Sequence, residues 1–405
     1  MVVEVGAFVP HAAEAPTTLD AIVRPSYGHV LEDYVPGTVF VHPRGLTLDR
    51  ATMITWARTF MECNPLYLNE PLAMRHGYDG LPAAPHLVMN VALSLGVQND
   101  SERAIANLGY YDVRFLRPVY AGDTLRGRTR VVERRDRGVG KPGIATIETV
   151  AFNQDGQVVV QYRRKVMVPR GGDGPIEDPP TGAPDAAPDA APDAAPVEAF
   201  PWKLTPKLHI PFVKNLSSSG MTRIETTLGA FAPGQIWVHP NGRTVTDEHV
   251  GLTYQVGNTH PLHFDRLYSQ GQAGASGLGS GEPIVYGGLV FAWLCGLASR
   301  DVTENAVWEL GFHDGYHTQP TIAGDTLYAL TRILAVEPLT SADNDLGVVR
   351  MQLIGTKNLR AAAALDRYGA DLFLAEDAKK ALGKEKIPEK VFEIERAVLV
   401  RATPA

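Results

Sequence analysis

The stretch RPVYAGDTL, residues 117–125, decides the fold because the chain repeats it as QPTIAGDTL at residues 319–327. Asp123 of the first copy matches Asp325 of the second, 202 residues later. In both copies the Gly-Asp turn is followed by a segment in which apolar and polar residues alternate, which is typical of antiparallel strands joined by tight turns. The chain is therefore predicted to contain the same structural unit twice.

Five matched blocks recur in one order, and they divide the chain into two halves. A VHP tripeptide contains His42 in the first copy and His239 in the second, and NPLY at residues 64–67 corresponds to HPLH at residues 260–263. Between the copies, Pro, Ala and Asp repeat with almost no large apolar side chain, a composition that favours an extended linker. We predict a first half at 1–170, a linker at 171–199 and a second half at 200–405.

Each half has the pattern of an α+β unit. The segments PHLVMNVALSLGVQ and YGGLVFAWLCGLAS are apolar on nearly every face, which predicts one fully buried helix in each half. An earlier amphipathic helix is predicted to begin after Asp49 in one half and Asp247 in the other, each acid capping its helix. Alternating strands follow, so each half should wrap an antiparallel sheet around a helix. A helical insertion is predicted near residues 359–390.

The bulk composition excludes several functional classes. The 405 residues carry a net charge of −7, which argues against binding nucleic acid through a basic surface. Two cysteines cannot form a disulfide framework or a cysteine-rich zinc site. The N-terminus has neither the basic region nor the apolar run of a signal peptide, and no apolar stretch is long enough to span a bilayer. We therefore expect a cytoplasmic protein that binds neither membrane nor nucleic acid.

The segment GNTHPLHFD, residues 257–265, carries the candidate chemistry. Together with a glycine at the start of the second buried helix and the intact RPVYAGDTL, it resembles the MaoC-like, or (R)-specific enoyl-CoA hydratase, family. That resemblance covers both halves and implies a double hot-dog fold, in which two tandem hot-dog units each wrap a curved antiparallel sheet around a buried helix. Within the family, the length and the paired halves are most similar to the mesaconyl-CoA (2-methylfumaryl-CoA) hydratases, also called β-methylmalyl-CoA dehydratases.

The resemblance implies a hydro-lyase that adds water to the double bond of a 2-enoyl-CoA thioester, without a metal or other cofactor, in a homodimer. A histidine suits such proton transfers, and amide groups at a helix N-terminus suit the negative thioester oxygen. We assign His263 as base and acid, Asn258 as the residue that orients the water, and Gly287 or Gly288 as the amide donor. The candidate substrate-binding residues are His260, Asp265, Tyr286, Tyr67 and Arg117.

Two departures from the family pattern affect these assignments. Asn258 replaces the acid of the family motif, and an amide cannot take a proton from water. His260 replaces the asparagine of that motif. In the first half, Tyr67 replaces His263, Glu62 replaces Asn258, and a proline without an N–H stands opposite Gly287. We predict that the first half mainly builds the substrate site and that the second half is catalytic.

Several alternatives remain open at this level. The histidines of HPLH, with Asp265 and His249, have a spacing that permits a metal site, although the first half has no matching ligands. The fold also suits an (R)-specific hydratase of plain acyl chains, an acyl-CoA thioesterase or a non-catalytic acyl-CoA-binding protein. The glycine-rich segment 270–283 is either a lid or a solvent loop. The candidates for binding a substrate carboxylate are Arg58, Arg114, Arg117 and His317.

Overall fold

The computed structural model describes residues 22–176, 226–276, 281–339 and 346–401. Residues 177–199 of the predicted linker therefore lie outside the described residues. Eleven strands occur in the described part: β1 (Val39–Val41), β2 (Leu46–Thr47), β3 (Ala106–Phe115), β4 (Thr124–Arg135), β5 (Gly143–Phe152), β6 (Val158–Val168), β7 (Ile236–Thr244), β8 (Ala306–His317), β9 (Thr326–Pro338), β10 (Leu346–Lys357) and β11 (Lys390–Arg401). Its α-helices are α1 (Arg50–Thr59), α2 (Glu70–Arg75), α3 (Pro85–Gly96), α4 (Glu248–Gln255), α5 (Arg266–Ser276), α6 (Gly287–Ala298) and α7 (Ala361–Tyr368).

The strands form one antiparallel sheet that contains both halves. Its order is β1-β4-β5-β6-β3-β8-β11-β10-β9-β7, with β2 paired to β4. The halves meet where β3 pairs with β8, and Val113 lies opposite Phe312 in that register. Gly311 lies at this seam, where a β-carbon on it would stand 1.9 Å from the carbonyl oxygen of Val113. The seam therefore requires glycine at position 311 and joins the two repeats through backbone hydrogen bonds.

The two apolar helices occupy the centre, as their composition predicts. Every residue of α3 after Pro85 is buried, and so is every residue of α6 after Gly287. Helix α3 packs against β4, β5 and β6, while α6 packs against β7, β9 and β10, and the two helices contact each other. A β-carbon on Gly296 would stand 1.6 Å from the carbonyl oxygen of Phe60, so α6 can approach the chain after α1 only with glycine there. This is the predicted double hot-dog architecture.

The repeat extends to buried side chains. In the first half, His42 is 3.0 Å from the Thr129 hydroxyl and also faces Asp100. In the second half, the matched His239 is 2.8 Å from the Thr331 hydroxyl and also faces an aspartate, Asp301. Burial lowers the pKa of His42 to about 4, against the opposing effect of Asp100. The VHP tripeptide that marks the repeat in the sequence therefore fills the same structural position twice.

The two predicted helix caps differ. Asp49 accepts a hydrogen bond of 2.9 Å from the Thr52 N–H and caps α1 as predicted. The prediction for Asp247 is wrong, because this residue has helical dihedral angles and its side chain makes no capping hydrogen bond. An effective N-cap residue needs extended backbone angles, so that its side-chain oxygen can reach the free N–H groups of the first turn.

Two further regions lie outside the sheet. Short helices, among them α7, occupy the region in which a helical insertion was predicted, and they pack on Leu330 and Ile354 of the sheet. In the glycine-rich segment, α5 continues to Ser276, and residues 277–280 lie outside the described residues. Within the described ranges, no helix is long and apolar enough to cross a membrane.

Candidate active site

The GNTHPLHFD segment forms a tight turn between α4 and α5. Gly257 has a φ of +79°, a left-handed conformation that glycine adopts without strain, and Pro261 begins a 3-10 helix that ends at His263. The side chain of Asn258 is fully buried, and its Oδ1 accepts a hydrogen bond of 2.9 Å from the His260 N–H. Its Nδ2, in contrast, makes no hydrogen bond of good geometry to the described residues, although the Tyr286 hydroxyl is nearby.

His260 uses both of its ring nitrogens to hold this turn. Its Nε2 donates a hydrogen bond of 2.8 Å to the carbonyl oxygen of Ala104, and its Nδ1 accepts one of 3.2 Å from the Leu262 N–H. These partners fix one neutral tautomer. Burial lowers the pKa of His260, although the hydrogen bond to Ala104 opposes that shift. His260 therefore lines the pocket but connects the turn to the first half of the chain.

His263 lies beside the amino end of α6. Its Nδ1 is 2.8 Å from the carbonyl oxygen of Ile284, and its ring centroid is 5.3 Å from that of Tyr286, the residue that precedes α6. A carbonyl oxygen only accepts hydrogen bonds, so Nδ1 carries the proton and Nε2 carries the lone pair. Burial first, and the neighbouring His260 second, lower the pKa of His263 to about 3. The imidazole is therefore neutral at neutral pH.

The two candidate amide donors have different surroundings. The N–H groups of both glycines belong to the first turn of α6, where a helix offers no internal acceptor. Gly287 lines the pocket, and a β-carbon on it would stand 2.5 Å from Nε2 of His317. Gly288 is buried against Asn90, whose Nδ2 donates a hydrogen bond of 3.0 Å to the Gly288 carbonyl oxygen. Of the two glycines, only Gly287 lines the same pocket as His263.

The pocket has a volume of about 210 Å³, and both halves of the chain line it. His317 faces Tyr110 across the seam, with 3.1 Å between Nε2 and the tyrosine hydroxyl. Burial lowers the pKa of His317 to about 4. The polar residues that line the pocket are Asn258, His260, His263, Tyr286, His317, Thr318, Gln319 and Thr321 from the second half, and Ser101, Asn107, Tyr110 and Arg164 from the first. The backbone of Gly287 lines it as well.

Three candidate substrate-binding residues lie outside this pocket. Asp265 is exposed and accepts a hydrogen bond of 3.0 Å from the Tyr268 N–H at the start of α5. Arg117 is exposed on the connection between β3 and β4. Tyr67 is buried and lines a separate cavity of about 10 Å³. The structure thus brings His263, Asn258, His260, Tyr286 and Gly287 together and places these three elsewhere.

The small cavity occupies the position in the first repeat that the open pocket occupies in the second. Glu62 and Tyr67 line it, at the positions of Asn258 and His263. Glu309 and Arg396 also line it and form a buried ion pair with 2.5 Å between Oε2 and Nη2. A cavity of about 10 Å³ has room for at most about one water molecule. The first repeat therefore has the framework of a site but no space for a substrate, and we call this small cavity the closed cavity.

Arg164 was not among the predicted site residues, although the sequence contains a signal for it. In VVVQYRRKVMV, the alternation places residues 160, 162, 166 and 168 on one buried face, and Arg164 has the same parity. A charged residue on the apolar face of a strand is rarely buried unless it is paired. In the structure, Nη2 of Arg164 donates to Oδ1 of Asp100 at 2.6 Å and to the Ser101 hydroxyl at 2.7 Å.

The histidines and acids of the turn do not converge on a common point. Within the described ranges, no group of three or more His, Cys, Asp or Glu side chains has an arrangement suited to a metal ion. His260 has both ring nitrogens in hydrogen bonds, and Asp265 is occupied at the start of α5.

Two hot-dog repeats in one chain, both of which line the pocket of His263, are the arrangement expected of the MaoC-like dehydratases. The fold and the pocket place this protein in that class. The chain belongs to the mesaconyl-CoA hydratase family, whose model matches residues 14–361.

Individual relatives agree with this assignment. A β-methylmalyl-CoA dehydratase from Chloroflexus aurantiacus is 28% identical over 335 residues, which cover 82% of this chain and 89% of the relative. A mesaconyl-CoA hydratase from Cereibacter sphaeroides is 28% identical over 339 residues, covering 82% of this chain and 90% of the relative.

Among solved structures, a putative MaoC domain protein dehydratase from Chloroflexus aurantiacus superposes with a TM-score of 0.73 and is 26% identical, covering 94% of this chain and all of the other. A Mycobacterium tuberculosis protein with a double hot-dog fold has a TM-score of 0.63 and is 21% identical, covering 92% of this chain and 98% of the other. The second likeness concerns the fold alone.

Proposed function

We propose that this protein is a hydro-lyase that reversibly adds water to 2-methylfumaryl-CoA (mesaconyl-CoA) to give β-methylmalyl-CoA. The names of the relatives supply the substrate. The observation that carries the chemistry is the hydrogen bond from His263 to the carbonyl oxygen of Ile284, because it leaves Nε2 as an unprotonated base in a pocket that also contains Gly287. Both groups that a hydration needs, a base and a donor to the thioester oxygen, therefore line one cavity.

In the proposed reaction, Nε2 of His263 takes a proton from water as the water oxygen forms a bond to the β-carbon. The electron pair of the double bond moves to the thioester, whose oxygen becomes an enolate and accepts a hydrogen bond from the Gly287 N–H. The imidazolium then returns its proton to the α-carbon, which restores the neutral ring and the thioester carbonyl. Burial makes the imidazolium unfavourable by itself, so the enolate formed in the same step is its counter-charge.

Asn258 orients the attacking water in this scheme. Its Oδ1 is engaged with the His260 N–H, so the group directed to the substrate is Nδ2, a donor that holds a water oxygen without accepting its proton. His263 therefore performs both proton transfers alone. His260 and Tyr286 shape the pocket around it, and the first half supplies the opposite wall.

The test is an absorbance assay with mesaconyl-CoA and crotonyl-CoA as parallel substrates. Hydration removes the conjugated enoyl absorbance and releases no thiol, and we expect faster turnover of mesaconyl-CoA. Release of free CoA, detected with a thiol reagent, would instead indicate a thioesterase. Preference for crotonyl-CoA would remove the dicarboxylate assignment, and binding without turnover of either ester would contradict the proposal as a whole.

We further propose that the protein functions in the cytoplasm as a homodimer. The location is supported by the cysteine content, since two cysteines in 405 residues suit a reducing compartment. The dimer follows from the family resemblance. Analytical ultracentrifugation of the purified chain tests the second point, and a species with the mass of a single chain at micromolar concentration would contradict it.

A further inference from the structure

We infer that Arg164 binds the free carboxylate of the substrate; this inference rests on the proposed function and adds a specificity-determining residue to it. In the described part of the chain, Arg164 is the only arginine or lysine that lines the open pocket. The three pocket histidines, His260, His263 and His317, all have lowered pKa values because they are buried, so they are neutral at neutral pH. The permanent positive charge in the pocket is therefore the guanidinium.

One buried donor of the guanidinium, its Nε, has no hydrogen-bond partner among the described residues. Its Nη2 donates to Asp100 and Ser101, which hold the side chain against the end of α3. Its Nε is buried and makes no hydrogen bond to any described residue, while the residue as a whole is 3% exposed. A buried N–H without an acceptor is unfavourable, and a carboxylate oxygen is a strong acceptor for an arginine N–H. Arg164, a residue of the pocket lining, therefore carries an unsatisfied cationic donor suited to an anion.

The closed cavity shows which group an arginine Nε binds in the corresponding position. Arg164 pairs with Tyr110 across the sheet, and Arg396 pairs with Phe312, which lies 202 residues after Tyr110. Arg396 is thus the counterpart of Arg164. At the closed cavity, Glu309 places its carboxylate on the Arg396 guanidinium and accepts hydrogen bonds from Nε at 3.4 Å and from Nη2 at 2.5 Å.

Among the described residues, no carboxylate side chain lines the open pocket. The residue that corresponds to Glu309 at the same offset of 202 is Asn107, a neutral amide that lines the pocket. The Nε edge of the guanidinium therefore holds a protein carboxylate at the closed cavity and has no partner among the described residues at the open pocket. We infer that the carboxylate of the bound substrate takes this place.

The location suits the reaction. In 2-methylfumaryl-CoA the free carboxylate is attached to the β-carbon, the carbon that receives the hydroxyl group. A residue that anchors this carboxylate therefore also positions the reacting carbon. Arg164 is close enough to the catalytic end to act on Tyr286, whose pKa burial raises to about 12 while the positive charge of Arg164 opposes the increase. Tyr286 immediately precedes Gly287, the proposed donor to the thioester oxygen.

The decisive experiment measures kcat/KM for mesaconyl-CoA and crotonyl-CoA in the full chain and in the double variant Arg164→Gln/Asp100→Asn. Both members of the buried pair are neutralised, since removal of only one would leave an unpaired charge. We expect kcat/KM for mesaconyl-CoA to fall on the order of a hundredfold, while that for crotonyl-CoA, which has no free carboxylate, changes by less than about threefold. The matched control is Glu309→Gln/Arg396→Gln at the closed cavity, which should leave the ratio of the kcat/KM values for the two substrates unchanged.

A second variant covers the case in which the double variant does not fold. Arg164→Lys retains the charge but has no Nε edge, and it should raise KM for mesaconyl-CoA and leave KM for crotonyl-CoA unchanged. Equal losses on both substrates, or an unchanged preference for mesaconyl-CoA, would overturn the assignment of Arg164 while leaving the hydratase function intact. Failure of the unmodified protein to hydrate mesaconyl-CoA would overturn the proposed function itself, so the two failures are distinguishable.

Discussion

His263 and Ile284 are joined by a hydrogen bond of 2.8 Å between the Nδ1 atom of the imidazole and the backbone carbonyl oxygen. Residue 263 ends a 3-10 helix and residue 284 lies just before α6, so this bond ties the reactive ring to the segment that carries the amide donor. It also selects the tautomer, because only a protonated Nδ1 can donate to a carbonyl. One contact thus sets both the position and the protonation pattern of the base.

Replacement of this ring tests its role directly. We expect His263→Ala to lower kcat for hydration by a hundredfold or more, on the order of the contribution of a general base. The matched change at the closed cavity, Tyr67→Phe, should leave turnover unchanged because this cavity is too small for substrate. Steady-state rates of the two purified variants decide the matter. An inactive Tyr67→Phe beside an active His263→Ala would reverse the assignment of the two halves.

The pH dependence should reflect the lowered pKa of this base. His263 has a pKa of about 3, so acidification to pH 5 does not protonate it, and the neutral form required for catalysis persists. We therefore expect kcat/KM to stay level from about pH 8 to about pH 5, where an imidazole of ordinary pKa would lose about thirtyfold. Initial rates in overlapping buffers measure the profile, with fluorescence at each pH to verify that the protein is folded. An acidic limb with a midpoint near 6.5 would disprove this prediction.

A methyl group at the helix start should disturb the amide donor. In Gly287→Ala the added carbon would lie 2.5 Å from Nε2 of His317, so either the ring or the helix end must move. We expect kcat to fall about a hundredfold, the effect of a displacement of about 1 Å at a reacting centre. Gly251→Ala, in the exposed part of α4 with open space at its Cα, is the matched control and should keep full activity. If Gly287→Ala is as active as Gly251→Ala, the added carbon does not displace the helix end, and this prediction is wrong.

Asn258 provides a test of the departure from the family motif. Asn258→Asp preserves the oxygen that accepts from the His260 N–H and replaces Nδ2 by a carboxylate oxygen, which can hold the water by accepting a hydrogen bond from it. We therefore expect kcat to change by no more than about tenfold. Asn258→Leu removes both that acceptor and the Nδ2 donor, and kcat should drop about a hundredfold. Comparison of kcat for the two variants, with melting temperatures as the folding check, separates the alternatives. Equal activities would show that the side chain does not orient the water.

The ion pair at the closed cavity should contribute to stability and not to catalysis. Glu309→Gln leaves the buried Arg396 without its counter-charge, and we expect the free energy of unfolding to fall by about 3–5 kcal/mol. The double variant Glu309→Gln/Arg396→Gln, which leaves no unpaired charge, should be more stable than the single one. Urea denaturation measures both, and kcat should match that of the unmodified protein. A large drop in kcat in the folded double variant would show that this cavity takes part in catalysis.

The sequence predicts the fold well because the signals of the fold are repeated. The Gly-Asp turns at residues 123 and 325 and the two apolar helices α3 and α6 each occur twice, so a pattern ambiguous in one copy is supported by the other. The cap at Asp247 could not be predicted in the same way, since the repeat conserves the acid but not the backbone angles it needs.

The site is predictable only where its residues are close in sequence. Asn258, His260 and His263 belong to one turn, and Gly287 begins the helix that follows α5, so their motif identifies them together. Arg164 comes from the other repeat, and only the pairing of β3 with β8 and β6 brings it to the same pocket. Contacts formed across a sheet leave no spacing rule in the sequence.

The seam between β3 and β8 has a consequence for how this protein can change. One repeat contributes the imidazole and the other the guanidinium, and eleven strands form a continuous sheet across the boundary. The first repeat has lost room for a substrate of its own, yet it cannot be deleted, because its loss would expose a sheet edge and remove one wall of the surviving cavity. Mutation can thus change the closed cavity without affecting catalysis if its buried ion pair stays matched, while the two copies remain obliged to evolve together as a single catalytic unit.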